Sequence, residues 1–159
     1  MDQRDTPSWV TIELTSLGEQ KILDGTLEKT LRKDLGVTQS HPIFIPVHVH
    51  RRKQRVTAIT LVEGYVFVSS HLPETTFFAL ENKAYVSRVL SSKSVSGIRT
   101  LHTVSDNHIQ KLKAQLLNMI ASKIMPGMRV RAVSGTFRTL IGDVVGVEDG
   151  VAQVLFRLR

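Results

Sequence analysis

The sequence predicts an α+β fold: an antiparallel sheet with flanking helices, followed by a small all-β domain. Three observations predict it. Short β-branched and aromatic runs, bounded by turn residues, recur from Trp9 to Leu90. Two stretches with apolar residues at helical spacing interleave with them. Beyond Pro126-Gly127 only short β segments separated by glycine remain.

The elements follow in order. Trp9 to Leu14 alternates, with Val10, Ile12 and Leu14 on one face and Trp9, Thr11 and Glu13 on the other, which is a strand. Ser16-Leu17-Gly18-Glu19 has the form of a capping box. Leu23, Leu27, Leu31 and Leu35 then recur at spacing four before Gly36, which predicts an amphipathic helix with a weak point at Gly25. Ile43 to Val49 and Val56 to Leu61 read as strands on either side of a basic turn, and Tyr65 to Val68 as a buried strand. Pro73 to Leu80 predicts a short helix, Tyr85 to Leu90 a strand, and the serine-rich 91–100 a loop. Ser105 or Asp106 caps a helix reaching about Ala121, with Ile109, Leu112, Leu116 and Met119 or Ile120 as its apolar stripe and Lys111, Lys113 and Gln115 in water. Met128 to Val133, Ile141 to Val147 and Val151 to Leu158 read as strands, the last two joined by an Asp149-Gly150 turn. The expected organisation is a first domain over 1–122, a short linker over 123–126 and a small β domain over 127–159.

Composition narrows the function. Twenty-one Lys and Arg against fourteen Asp and Glu give a net charge of +7, which favours an anionic partner. The charge is uneven, −2 over residues 1–50, +5 over 51–100 and +4 over 101–159, so the middle and the end face the anion. Its densest part is Arg51, Arg52, Lys53 and Arg55 at the tip of the predicted hairpin, read either as a contact surface or as a solvated loop tip. With no Cys there is no disulfide framework and no thiolate chemistry. No secretory leader and no membrane span are legible, so the expected location is cytoplasmic, with no membrane partner. There is no phosphate loop, dinucleotide fingerprint, zinc-protease helix or nucleophile elbow, so no enzyme, cofactor or metal is expected. His48 and His50 share a strand face, but without Cys or a neighbouring carboxylate a hairpin stem is the better reading than a zinc site.

Two groups of residues, in this order, resemble the NusG family of transcription elongation factors, RfaH-like paralogues included. Trp9, Gly18-Glu19, Ile45-Pro46, the basic hairpin, Gly64-Tyr65-Val66-Phe67-Val68 and Val86-x-Arg88 look like its N-terminal domain over 9–121. Gly127-x-Arg129-Val130, Gly135-x-Phe137 and Gly142-x-Val144 are similar to a KOW motif, whose domain is an SH3-like barrel. Three strands are fewer than that barrel has, so the resemblance implies a shortened KOW domain whose edge docks on the first domain or on a partner. It also suggests a specialised paralogue of phage or mobile-element kind.

The resemblance implies a monomeric, non-enzymatic processivity or antitermination factor that binds the clamp helices of RNA polymerase. Trp9, Leu61, Val62 and Tyr65 match positions around the family's apolar polymerase surface, and Thr75 and Thr76 those of its contact across the cleft. Trp9 divides evenly between that surface and the core, whereas Tyr65 suits an interface with one wet edge. Arg51, Arg52, Lys53, Arg55 and Arg88 would contact upstream or non-template DNA without sequence preference, nascent RNA being a further nucleic-acid partner. Arg129, Gly135, Phe137 and Gly142 carry the KOW resemblance, with Phe137 read more readily as a core plug than as a contact. Glu63, where the family usually has Pro, and Val10, where it often has Tyr, depart from the pattern. The alternatives are an RNA-binding module of ribosomal-protein character and a polymerase-binding inhibitor.

Overall fold

The computed structural model describes residues 7–121, 124–132, 135–148 and 151–156, and for Arg52, Arg55 and Ala121 the backbone alone. The fold is α+β, with antiparallel sheets and flanking helices. The chain divides into two compact units, Met1–Leu116 and Leu117–Arg159.

In the first unit, β1 (Ser8–Leu14) is buried on both faces. Helix α1 (Ser16–Asp24) does not start on the expected capping box: Thr15 is its N-cap, and Thr15 Oγ1 accepts a long hydrogen bond from the Gly18 N–H at 3.4 Å. The single helix expected through Leu35 is in fact two. Gly25 adopts φ 78 and closes α1, its N–H donating to the Ile22 carbonyl, and α2 (Leu27–Leu35) then ends at Gly36 with φ 68. Both are left-handed C-caps that a side chain would strain. The break removes Leu23 from the stripe, leaving it 38% exposed, while Leu27, Leu31 and Leu35 stay buried.

The strand expected over 43–49 is also divided, into β2 (Ile43–Phe44) and β3 (Val47–Arg52). Pro46 lies between them and has no N–H to continue a ladder. Strand β4 (Arg55–Thr60) pairs with β3 alone, from Val47↔Thr60 to Arg52↔Arg55, leaving Lys53 and Gln54 as a two-residue tip. Next come β5 (Tyr65–Ser69), α3 (Glu74–Ala79) with a single 3-10 turn at Leu80–Asn82, and β6 (Val86–Val89). Residues 91–100 are not a loop. They form an antiparallel ribbon of β7 (Ser91–Lys93) and β8 (Arg99–Leu101), followed by β9 (Thr103–Ser105), which pairs with β1. Helix α4 (Asp106–Ala121) completes the series with the expected bounds.

The central sheet runs β2-β5-β1-β6, with β9 sharing the β6 edge of β1. Two cores lie on its opposite faces. One collects Val10, Ile12, Leu14, Val66 and Val68 with Ile22 of α1, Leu27 and Leu31 of α2 and Phe77 of α3. The other joins Trp9, Phe44 and Phe67 to Ile109 and Leu116 of α4. Lys113, expected in water, holds its Nζ 5.0 Å from the centre of the Trp9 ring and 5.6 Å from that of Phe44. A cation over aromatic faces keeps its stem on apolar surface while the charge is attracted by the ring.

The second unit has three described strands, β10 (Arg129–Arg131), β11 (Ile141–Glu148) and β12 (Val151–Phe156), in that spatial order. The turn expected at Asp149-Gly150 lies outside the described residues, as do Val133 and Leu158. Gly142 is required by packing: a Cβ there would sit 2.5 Å from Val154 Cγ1 and 2.8 Å from the Leu155 carbonyl oxygen. Phe137 does turn back over the sheet, stacking on Phe156 with ring centres 5.5 Å apart, yet it is 57% exposed. The core-plug reading of Phe137 is thereby corrected. Among the described residues of this small sheet Val144, 2% exposed, is the buried apolar side chain.

Candidate functional site

The residues singled out in the first unit fall into three groups. Trp9 belongs to the core at 4% exposure, its Nε1–H satisfied by Asp106 Oδ1 at 2.9 Å. It can shape an outer surface only from beneath. Leu61 is half-buried and packs against the cluster that holds Trp9, and Val62 is half-buried beside it in sequence. The Leu61 N–H is fixed by the Pro46 carbonyl at 2.9 Å, which anchors the end of the β3–β4 hairpin next to this patch.

Tyr65 begins β5, half-buried, opposite Glu13 of β1, and Glu13 lies opposite Arg88 of β6. One row across three strands therefore reads Tyr65, Glu13, Arg88. The Arg88 Nε donates to Glu13 Oε2, and 64% of the Arg88 side chain stays accessible. The Glu13 hydrogen bond and charge, with a smaller contribution from Tyr65, hold the guanidinium protonated more firmly than that of an isolated arginine. Arg88 is thus a paired but largely exposed cation at the edge of a half-buried aromatic ring. Nothing in the sequence spacing of positions 13, 65 and 88 signals this row; it appears only once the strand register is known.

The basic hairpin is less uniform than its sequence. Arg51 points back, Nη2 donating to the Leu23 carbonyl at the end of α1, where a cation also meets the negative end of the helix dipole. Lys53 occupies the tip, exposed, with φ 53, a left-handed conformation rare for a residue with a side chain. The side chains of Arg52 and Arg55 lie outside the description. His48 and His50 alternate with Val47 and Val49 on β3, and the described residues contain no group of His and carboxylates able to hold a metal ion. Thr75 is exposed and Thr76 partly so, both in the first turn of α3.

In the second unit Arg129 pairs with Asp143, Nε to Oδ1 at 3.3 Å, across the β10–β11 register. Gly135 adopts φ 78 with open space around it, so its requirement is conformational, whereas that of Gly142 is steric. No helix among the described residues is long and apolar enough to cross a membrane.

No family model and no curated protein matches the chain. Among solved structures it is similar to NusG of Thermotoga maritima, from a structure of domain interaction in that protein. The likeness covers 95% of this chain and 93% of the other at 17% identity, with a TM-score of 0.43.

Proposed function

We propose that the chain is a transcription elongation factor acting by binding rather than by catalysis, with RNA polymerase as its partner. The observation that carries the reading is the run of half-buried Leu61, Val62 and Tyr65, of which Leu61 packs on the Trp9 core and Tyr65 stands in one row with the Glu13–Arg88 ion pair. An apolar patch with an aromatic anchor and a polar rim suits a helical hairpin such as the polymerase clamp helices. The resemblance of the motifs around Trp9, Gly64-Tyr65 and Arg88 supports the same partner. In this reading Thr75 and Thr76 meet the far side of the cleft. Lys53, with Arg52 and Arg55, steers the protein to upstream DNA, and the unit around Arg129, Gly135, Phe137 and Gly142 is a KOW-like module. Modulation of pausing or termination follows from bridging the cleft.

Retention on purified polymerase core, with RNA gel shifts alongside, tests it. Tyr65→Ala is expected to lose polymerase while keeping its fold by circular dichroism. Undiminished retention by that variant overturns the assignment of the patch, and RNA shifts without polymerase retention favour the RNA-binding alternative.

A further inference from the structure

The β7–β8 ribbon is polar along its stem and apolar at its end. Val95 is wholly exposed and Ile98 is 67% exposed. Such side chains at a loop tip are ordinary when the tip is loose, but this tip is held in one shape. Ser94 N–H donates to the Ile98 carbonyl at 2.9 Å, Gly97 N–H to the Ser94 carbonyl at 2.9 Å, and Ile98 N–H to Ser94 Oγ at 3.2 Å. Gly97 supplies the left-handed turn with φ 79.

The stem is fastened as firmly. Arg99 donates through Nε to Ser91 Oγ at 2.6 Å, through Nη1 to Glu81 Oε2 at 2.6 Å and through Nη2 to the Val89 carbonyl at 3.1 Å. Its guanidinium also lies 4.3 Å from the centre of the Phe78 ring. Glu81 in turn accepts from the Val89 N–H at 2.8 Å. The ribbon is therefore a rigid arm, and its two apolar side chains are presented to solvent at little further entropic cost when they meet a partner.

At the root of the arm is a cleft of about 510 Å³ lined by Arg88, Val89, Leu90, Ser91, Lys93 and Arg99. Three of the six carry positive charge and none is acidic. Arg99 is committed through all three of its nitrogens, whereas Arg88 pairs with Glu13 through Nε and keeps most of its side chain accessible, so the ammonium of Lys93 and the hydroxyl hydrogen of Ser91, with Arg88 beside them, face a ligand. Exposed cations beside a hydroxyl suit phosphate oxygens.

We propose that the β7–β8 arm and its root cleft bind single-stranded nucleic acid, with a phosphate at Lys93 and Ser91 and Val95 and Ile98 against exposed base faces. Aliphatic side chains reach base faces where these are unstacked, as they are in a single strand. This surface is separate from the Lys53 hairpin and shares Arg88 with the rim of the Tyr65 patch, and it does not depend on the polymerase reading.

The test uses the full chain without polymerase, following the anisotropy of a labelled oligothymidylate and of a duplex of equal length at several salt concentrations. Lys93→Glu is expected to weaken single-strand binding by about fivefold or more at low salt and to reduce the log–log salt slope by roughly 0.7, the loss of one phosphate contact. Val95→Ser is expected to weaken it about fivefold with the slope unchanged. Lys29→Glu, an exposed cation on α2 outside every proposed surface, serves as the reference. Wild-type affinity in both arm variants overturns the proposal. So do equal binding of single strand and duplex, and arm variants that keep oligothymidylate binding while losing that of labelled poly-glutamate followed in the same assay, which would assign the arm to an acidic polypeptide.

Discussion

Trp9 donates its indole Nε1–H to Asp106 Oδ1 at 2.9 Å, joining the start of β1 to the first residue of α4. The hydrogen bond from Trp9, seconded by Gln110, holds the Asp106 carboxyl below its ordinary pKa. It also fixes where α4 begins, and so where Ile109 and Leu116 meet the sheet.

Substitution of Trp9 separates the bond from the ring. Trp9→Phe keeps the aromatic packing and is expected to cost about 1 kcal/mol, whereas Trp9→Ala opens a cavity and is expected to cost about 3–5 kcal/mol. Denaturant midpoints followed by circular dichroism, since the variants lack the sole tryptophan, measure both. Equal losses would show that the indole N–H contributes nothing.

His41 gives the first unit a pH response. Burial of its ring lowers its pKa, opposed by the contact of Nε2 with the Ser69 carbonyl and reinforced by the Arg32 charge. A lowered pKa means that the unfolded chain takes up the proton first. Stability is therefore full above about pH 6.5, the value of an unperturbed histidine, and falls as the pH drops from there toward the folded-state value. His41→Gln is expected to flatten that part of the profile, as read by thermal midpoints between neutral and mildly acidic pH.

Arg32 is a cation drawn into the structure by carbonyls. At 8% exposure it donates at 2.7 Å to the carbonyls of both Thr38 and His41 and pairs with Glu28 at 2.7 Å. Arg32→Ala is expected to cost about 2–4 kcal/mol because two acceptors lose a charged donor, and Arg32→Lys to recover only part of it, since a point charge cannot span the fork. Chemical denaturation checks the ranking.

Arg51 and Lys53 should part company under charge reversal. Arg51→Glu places a carboxylate at the C-terminal end of α1 and is expected to lower thermal stability. Lys53→Glu is expected to leave stability unchanged and to weaken nucleic-acid association mainly at low salt. Lys53→Gly relieves the left-handed backbone and is expected to raise stability by about 0.5–1 kcal/mol. Thermal melts and salt titrations of the three variants distinguish the roles.

Gly142→Ala and Gly135→Ala probe two different kinds of glycine in the second unit. The first drives a methyl against Val154 and the Leu155 carbonyl and is expected to cost about 2–3 kcal/mol; the second meets no neighbour and is expected to cost about 1 kcal/mol of backbone strain. Hydrogen exchange of the β11 and β12 amides measures each.

The sequence was most legible where burial imposes a period. β1, β5 and α4 follow from alternation or helical spacing, because the side chains that set the pattern are those that fill the two cores. It was least legible where backbone bonding or a single polar side chain does the work. Residues 91–100 are serine-rich and mostly exposed, and what holds their ribbon is the ladder and Arg99, which no periodicity reveals. The division at Gly25 was visible only as a weakness, since a left-handed cap and a tolerated helix glycine look alike until the next turn is built. The residues of the candidate patch were named from resemblance, but the Tyr65–Glu13–Arg88 row needed the strand register.

Because β1 is enclosed on both faces, the keel of the first unit is closed to novelty: a change along it is answered first in lost stability. The two ribbons that stand clear of it, β3–β4 and β7–β8, carry no such obligation at their ends. New recognition can be written into Lys53, Gln54, Val95 or Ile98 by drift alone, and the scaffold beneath need never register the edit.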